Sequence, residues 1–180
     1  MILVGACVGC DASEASESRA APVPVITGNG VVRGSVKFAG AAPEMQVIAT
    51  AHCHSGARPV VDESVVVNDN GTLRNVFVYL EGAPASGGGE GAAPAVLDQV
   101  DCRYVPHVLG VQAGQKIRVR SSDPTLHNVH SLASRNRAFN FGMTRAGDER
   151  TVAFDRHEFV PVKCDVHPWM TAYEIGRAHV

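Results

Sequence analysis

Glu158–Tyr173 reads EFVPVKCDVHPWMTAY. In its first half Val160, Val162 and Cys164 occupy alternate positions and so share one face of an extended strand. In its second half Cys164, His167 and Met170 follow one another at intervals of three. A thiol, an imidazole and a thioether therefore fall close together in a chain with only five cysteines and four methionines. A strand that ends in a cysteine and turns back through a loop can gather positions i, i+3 and i+6 around one point, provided another segment adds a donor.

The rest of the chain repeats the short-strand pattern. Tyr104–Ser131, YVPHVLGVQAGQKIRVRSSDPTLHNVHS, predicts a strand, an Ala-Gly-Gln turn and a second strand with Ile117 and Val119 on one face and Lys116, Arg118 and Arg120 on the other. Ser122-Asp123-Pro124 ends that strand, and His127 is expected in the loop that follows. DERTVAFD predicts a further strand with Val152 and Phe154 inward. Upstream, GVVRGSVKFAG predicts a half-buried strand with Val32, Val36 and Phe38 on one face. ESVVVNDNGTLRNVFVYLEG predicts a hairpin about Asn-Asp-Asn-Gly, and its NVFVYL, apolar on both faces, a central strand. GAPASGGGEGAAPA has no side chains to bury and is expected to be a mobile loop over 82–95. Regularly spaced short strands and the absence of a long helical period predict an all-β sandwich.

Composition agrees and excludes other classes. The 180 residues are 45% hydrophobic, enough for one domain with a proper core. Aromatics are only 6% of the residues, while valine, alanine and glycine are abundant, a mix that suits strands and turns. Sixteen basic against eighteen acidic residues leave a net charge of −2, so nothing points to nucleic acid. No run approaches the roughly 18–20 apolar residues that span a bilayer.

His127 is the obvious further donor for Cys164, His167 and Met170. One thiolate, two imidazoles and a weak axial thioether make the type 1 (blue) copper donor set of one-electron carriers. Zinc favours closed cysteine and histidine sets without thioether, and a catalytic metal keeps a position open. This set leaves none open, so no enzyme is expected.

DPTLHNVH and VKCDVHPWM resemble the two ligand segments of the cupredoxins, the small blue copper proteins. The Cys-x-x-His-x-x-Met spacing is similar to the compact loop of amicyanin; plastocyanin and azurin have longer ones. The likeness is good over Tyr104–Tyr173 and looser over 28–100, where it resembles bacterial cupredoxin-like proteins of the methylamine-utilisation or plastocyanin-like type. It implies a Greek-key β-sandwich with an N-terminal strand extension and one copper ion. His127 and His167 would be the imidazole ligands, Cys164 the thiolate and Met170 the axial ligand. Asn128 would tie the two ligand loops together. Pro168, which lacks an N–H, would keep one hydrogen bond off the sulfur. Electrons would pass through a solvent-facing edge of His167 to transient protein partners such as a dehydrogenase, a cytochrome or a reductase. A copper storage or delivery module is the alternative.

The remaining candidates are weaker. His130 is expected to point away from the site, His107 to be structural, and Met143 to pack in a long loop. Trp169 reads equally as docking patch or core. His52-Cys53-His54 resembles a motif of multicopper oxidases, but the other His-x-His pairs of that site are absent. Cys53 and Cys102 read as a disulfide, as two free thiols, or, with His52 and His54, as part of an accessory metal site.

Both ends carry their own expectations. Val4-Gly5-Ala6-Cys7 resembles a bacterial lipoprotein signal, with Cys7 or Cys10 as the lipidated residue; the other reading is a flexible terminus with two free thiols. Residues 1–27 are then a signal remnant and tether, with a start upstream of Met1, and the protein sits lipid-anchored in the periplasm or cell envelope. Residues 28–173 form the domain, with 104–173 as its ligand-bearing core. Residues 174–180, EIGRAHV, resemble a translated sequencing adapter and are expected to be a non-native tail, so His179 is given no role.

Overall fold

The structure, a computed structural model, describes residues 33–50, 53, 59–79 and 91–177. The expectations for Cys7, Cys10, Val32, His52, His54, His179 and residues 82–90 concern residues outside these ranges. The described residues lie in one compact unit, and among them there is no helix.

Nine strands run in chain order: β1 Ala95–Val100, β2 Arg103–Val105, β3 Val108–Gln112, β4 Ile117–Ser121, β5 His127–Ser131, β6 Asn140–Met143, β7 Glu149–Val152, β8 Glu158–Lys163 and β9 Thr171–Arg177. They form two mixed sheets, ordered β2-β1-β4-β7 and β3-β9-β8-β5-β6. Within them β1 pairs parallel with β4 and β3 parallel with β9. The core lies between the sheets. Leu97, Ile117 and Val119 come from one, Val111, Val129, Val160, Val162 and Ala172 from the other, with Tyr104 and Phe154 filling the space. These are the inward positions of the period-2 pattern, and Val160, Val162 and Cys164 are all buried as that pattern requires.

Tyr104 also couples the sheets through polar contacts. Its hydroxyl donates to the Asn128 carbonyl at 2.6 Å, and Gln99 Nε2 donates to the same carbonyl at 3.1 Å. The start of β5 is thereby fixed against the β1–β2 hairpin.

Several expectations are corrected. β1 forms although Asp98 and Gln99 interrupt its apolar run. The fold buries Asp98 by pairing it with its parallel neighbour Arg120, whose Nη2 lies 2.7 Å away. The N-terminal strand extension is reduced to isolated bridges, Lys37 with Thr72, Val47 with Val61 and Val67 with Leu73. Val36 is consequently 41% exposed instead of facing a core. The Asn68–Thr72 turn forms, with Gly71 at φ 76°. Over its described residues 75–79, however, NVFVYL is no central strand: it belongs to neither sheet, and Val76, Val78 and Tyr79 are exposed. Phe77 holds it against the edge, above Gly110 of β3, where a Cβ would collide with the ring. His127 opens β5 instead of lying in the preceding loop. Met143 is likewise in a strand, β6, directly opposite His127. At the C-terminus, Glu174–Arg177 continue β9, which pairs with β3 on one side and β8 on the other.

Candidate metal centre

The centre lies where β5 begins and β8 ends. Neighbouring antiparallel strands bring these two points together, so residues 37 to 43 positions apart become neighbours. The 164–170 loop is closed by its own backbone: Cys164 N–H donates to Met170 O at 3.0 Å, and Met170 N–H to His167 O at 2.9 Å.

Cys164, His127, His167 and Met170 are all buried, at 1, 0, 6 and 1% exposure. His127 Nδ1 and His167 Nδ1 are 3.0 Å apart, and Cys164 Sγ is 3.7 Å from His167 Nδ1. For bonds of about 2.0 Å to imidazole nitrogen and about 2.3 Å to thiolate sulfur, trigonal donors stand about 3.7 Å apart for the N–S pair and about 3.5 Å for the N–N pair. The sulfur spacing matches and the nitrogen spacing is slightly tighter, so His167 stands at metal-donor spacing from both His127 and Cys164. Met170 packs in the same buried loop. Met143, opposite His127 and fully buried, is a second thioether on that strand face.

Asp123 is the residue that sequence reasoning missed. Its Oδ2 lies 2.9 Å from His127 Nε2, which leaves Nδ1 of that ring facing His167. The same carboxylate accepts N–H bonds from Asp101 at 2.8 Å and Cys102 at 2.9 Å. Those two residues form the β1–β2 turn with positive φ, 52° and 58°, the pairing a two-residue type I′ hairpin needs. An acidic residue four positions before a candidate ligand histidine is the available signal. The pattern Ser-Asp-Pro reads first as a turn, so the signal was hidden.

The electrostatics follow from these contacts. Burial works against charge on His127, but Asp123 and Cys164 outweigh it and raise the ring to about 9. Burial and the neighbouring His127 charge push His167 down. Burial would raise Asp123, yet its bonds from His127, Cys102 and Asp101 hold it below the usual carboxylate range. Cys164 is raised by burial and lowered further by His127 and by backbone N–H groups, among them Asn128 at 3.5 Å, for a net fall.

Asn128 joins the two segments. Its Oδ1 accepts from Asp165 N–H at 2.5 Å, and its Nδ2 donates to Asp165 at 3.0 Å and to Asn140 at 2.7 Å. His130 turns outward to Asp165, 2.9 Å from Nδ1. His107 lies 4.0 Å from Glu63 and edge-on to Tyr173, apart from the centre.

His167 is only 6% exposed, so little of the solvent-facing edge expected for it remains. Trp169 donates from Nε1 to Cys102 O at 3.1 Å, which folds its ring against His167 with centroids 5.2 Å apart. Pro168, exposed, and Trp169, half-buried, also wall an open cleft of about 520 Å³ whose other sides include Ile48, Val60, Arg103 and Tyr173. Cys53 and Cys102 form a disulfide, which settles the three readings left open for that pair.

No protein-family model matches the sequence, and no curated protein matches it. In structure, the chain is similar to a purple cupredoxin from Nitrosopumilus maritimus, at 19% identity over 46% of this chain and 98% of that one, with a TM-score of 0.40. It is similar to a reduced amicyanin variant at 20% identity, covering 50% of this chain and 90% of that one, with a TM-score of 0.44. Against a copper-containing nitrite reductase from Thermus scotoductus SA-01 the identity is 17% and the TM-score 0.46, and the match spans 58% of this chain but only 28% of the reductase. With its two mixed sheets packed about one core and no helix among the described residues, the domain is an all-β sandwich.

Proposed function

We propose that the protein is a one-electron carrier with a single type 1 copper ion, which His127, Cys164, His167 and Met170 would hold. The observation that carries this reading is the placing of His167 Nδ1 3.0 Å from His127 Nδ1 and 3.7 Å from Cys164 Sγ, all three side chains being buried. Copper bound there supplies a reversible one-electron couple. The chain's own residues do the rest. Asp123 and the β1–β2 turn orient His127, Asn128 fixes the Cys164 loop against β5, and burial keeps water off the donors. Ligands set in advance by hydrogen bonds move little when the charge changes, which keeps transfer fast.

Electrons would cross Trp169, which stands between His167 and the cleft beside it, to transient redox partners such as a dehydrogenase, a cytochrome or a reductase. The subtype closest to this reading is amicyanin-like, on the spacing of the loop. The Cys53–Cys102 disulfide supports an exported, oxidising location, in the periplasm or cell envelope and lipid-anchored through Cys7 or Cys10. The burial of His167 favours a second reading, a module that stores or delivers copper without turnover.

The visible spectrum of Cu(II)-loaded protein, beside Cys164→Ala, separates the two. An intense sulfur-to-copper band that disappears in the variant supports the carrier. Copper held without such a band supports storage and sinks the type 1 assignment.

A further inference from the structure

The two imidazoles of the centre have a second sulfur beside them. Cys53 Sγ and one ring nitrogen each of His127 and His167 all lie within 4.8 Å of one another, and all three residues are buried. Cys53 is thus placed against the same pair of rings that Cys164 approaches from the β8 loop. Its sulfur is masked, because it is bonded to Cys102. A disulfide sulfur is a poor metal donor, whereas a thiolate is a strong soft one.

Cys102 is in turn wired to both rings. Its N–H donates to Asp123, which holds His127, and its carbonyl accepts from Trp169, which lies against His167. The disulfide is therefore built into the wall of the centre, not set at a distance as a simple staple.

We infer that Cys53 is a latent thiolate ligand of this centre: when the Cys53–Cys102 disulfide is reduced, Cys53 with His127 and His167 forms an alternative site for monovalent copper. The reductant is a dithiol. Its two thiols exchange with the disulfide to leave a cyclic disulfide on the reductant and thiols on Cys53 and Cys102, two electrons and two protons having moved. The Cys53 proton is released when its sulfur takes the metal. With both Cys53 and Cys164 available, the centre has two thiolates for two imidazoles, a softer set that favours Cu(I) over cycling. Reduction then converts a centre suited to electron transfer into one suited to holding copper. Copper binding by Cys53 is tested without Cys164 and so separately from the proposed function, on which only the switch away from electron transfer rests.

The test uses the full chain with Cys7→Ser, Cys10→Ser and Cys164→Ala, which leaves Cys53 and Cys102 as its only sulfhydryl groups. Cu(I) is titrated anaerobically against a chromophoric chelator, before and after reduction with a phosphine that is then removed. We expect no retained copper in the disulfide form and one equivalent per chain after reduction, with X-ray absorption showing mixed sulfur and nitrogen ligation. Adding Cys53→Ser should abolish this binding, and adding Cys102→Ser should preserve it. Equal copper in those two variants, sulfur-only ligation, or no uptake on reduction overturns the inference. Should either serine variant fail to fold, the comparison before and after reduction, with its ligation, decides alone. Wild-type disulfide protein lacking the visible Cu(II) band would defeat the proposed function while leaving this result untouched.

Discussion

At Glu174 the fold buries a carboxylate completely, and neither oxygen has a hydrogen-bond partner among the described residues. Desolvation alone raises this acid to about 8. A carboxyl whose folded value lies above its ordinary 4.5 costs no stability below that pH. Stability then falls as the pH rises from 4.5 to 8, by a total of order 5 kcal/mol, and levels off beyond. Glu174→Ile keeps a strand-forming side chain in β9 and removes the charge. Its urea midpoint should exceed that of the wild type at pH 8, with the gap closing toward pH 4.5. A gap that does not change with pH would show that desolvation is not the cause. Asp123 makes the opposite case, a buried carboxylate that every neighbour satisfies. Asp123→Asn removes the charge that orients His127, and copper affinity should fall about 10–100-fold in chelator competition. Unchanged affinity would mean that the ring is held by packing alone.

At the scale of the element, β8 is anchored at both ends. Cys164 follows its last residue, and Glu158 opens it. Burial works against Glu158, but its carboxylate accepts bonds from Ser134, Arg135 and Asn136, with N–H distances of 2.6 to 3.1 Å, and these hold it at about 2. The loop between β5 and β6 is thereby pinned to the start of β8. The stabilisation from a lowered carboxyl is complete above its ordinary 4.5 and is lost as the pH falls toward 2. Glu158→Gln should cost about 1.5–3 kcal/mol at neutral pH, the worth of bonds to a charged acceptor. It should also flatten the acid limb of the stability profile, measured by denaturation between pH 5 and 2. An unaltered acid limb would place the acid sensitivity elsewhere.

At the scale of the whole molecule, the Cys53–Cys102 disulfide ties a distant upstream residue to the β1–β2 turn across 49 positions. A cross-link of that span stabilises by roughly 2–4 kcal/mol. Urea denaturation with and without a phosphine reductant should show a loss of that size. Reduction that leaves the midpoint unchanged would mean that the upstream segment holds its place without the bond.

How much of this was legible beforehand depends on the range of the interaction that decides each feature. Alternation along β4 and β8 is local, so Ile117, Val119, Val160 and Val162 were assigned inward correctly. The Cys-x-x-His-x-x-Met spacing is also local, and it pointed to one loop. The placing of NVFVYL was not local. Its apolar residues suit a central strand, yet residues 75–79 lie in neither sheet, because a place in a sheet depends on which distant backbone the fold brings alongside. β1 failed in the other direction: Asp98 looks like a strand breaker until Arg120 is brought beside it by a parallel pairing. Asp123, the disulfide and the cover that Trp169 places over His167 belong to the same class. From the sequence alone one could read the strand faces, the sandwich class and the grouping of Cys164, His167 and Met170 in one loop, because these depend on residues within a few positions of one another. Tertiary structure alone decided that Asp123 orients His127, that Cys53 lies beside both rings and that His167 is shielded, because each contact joins segments that only the closed sandwich brings together.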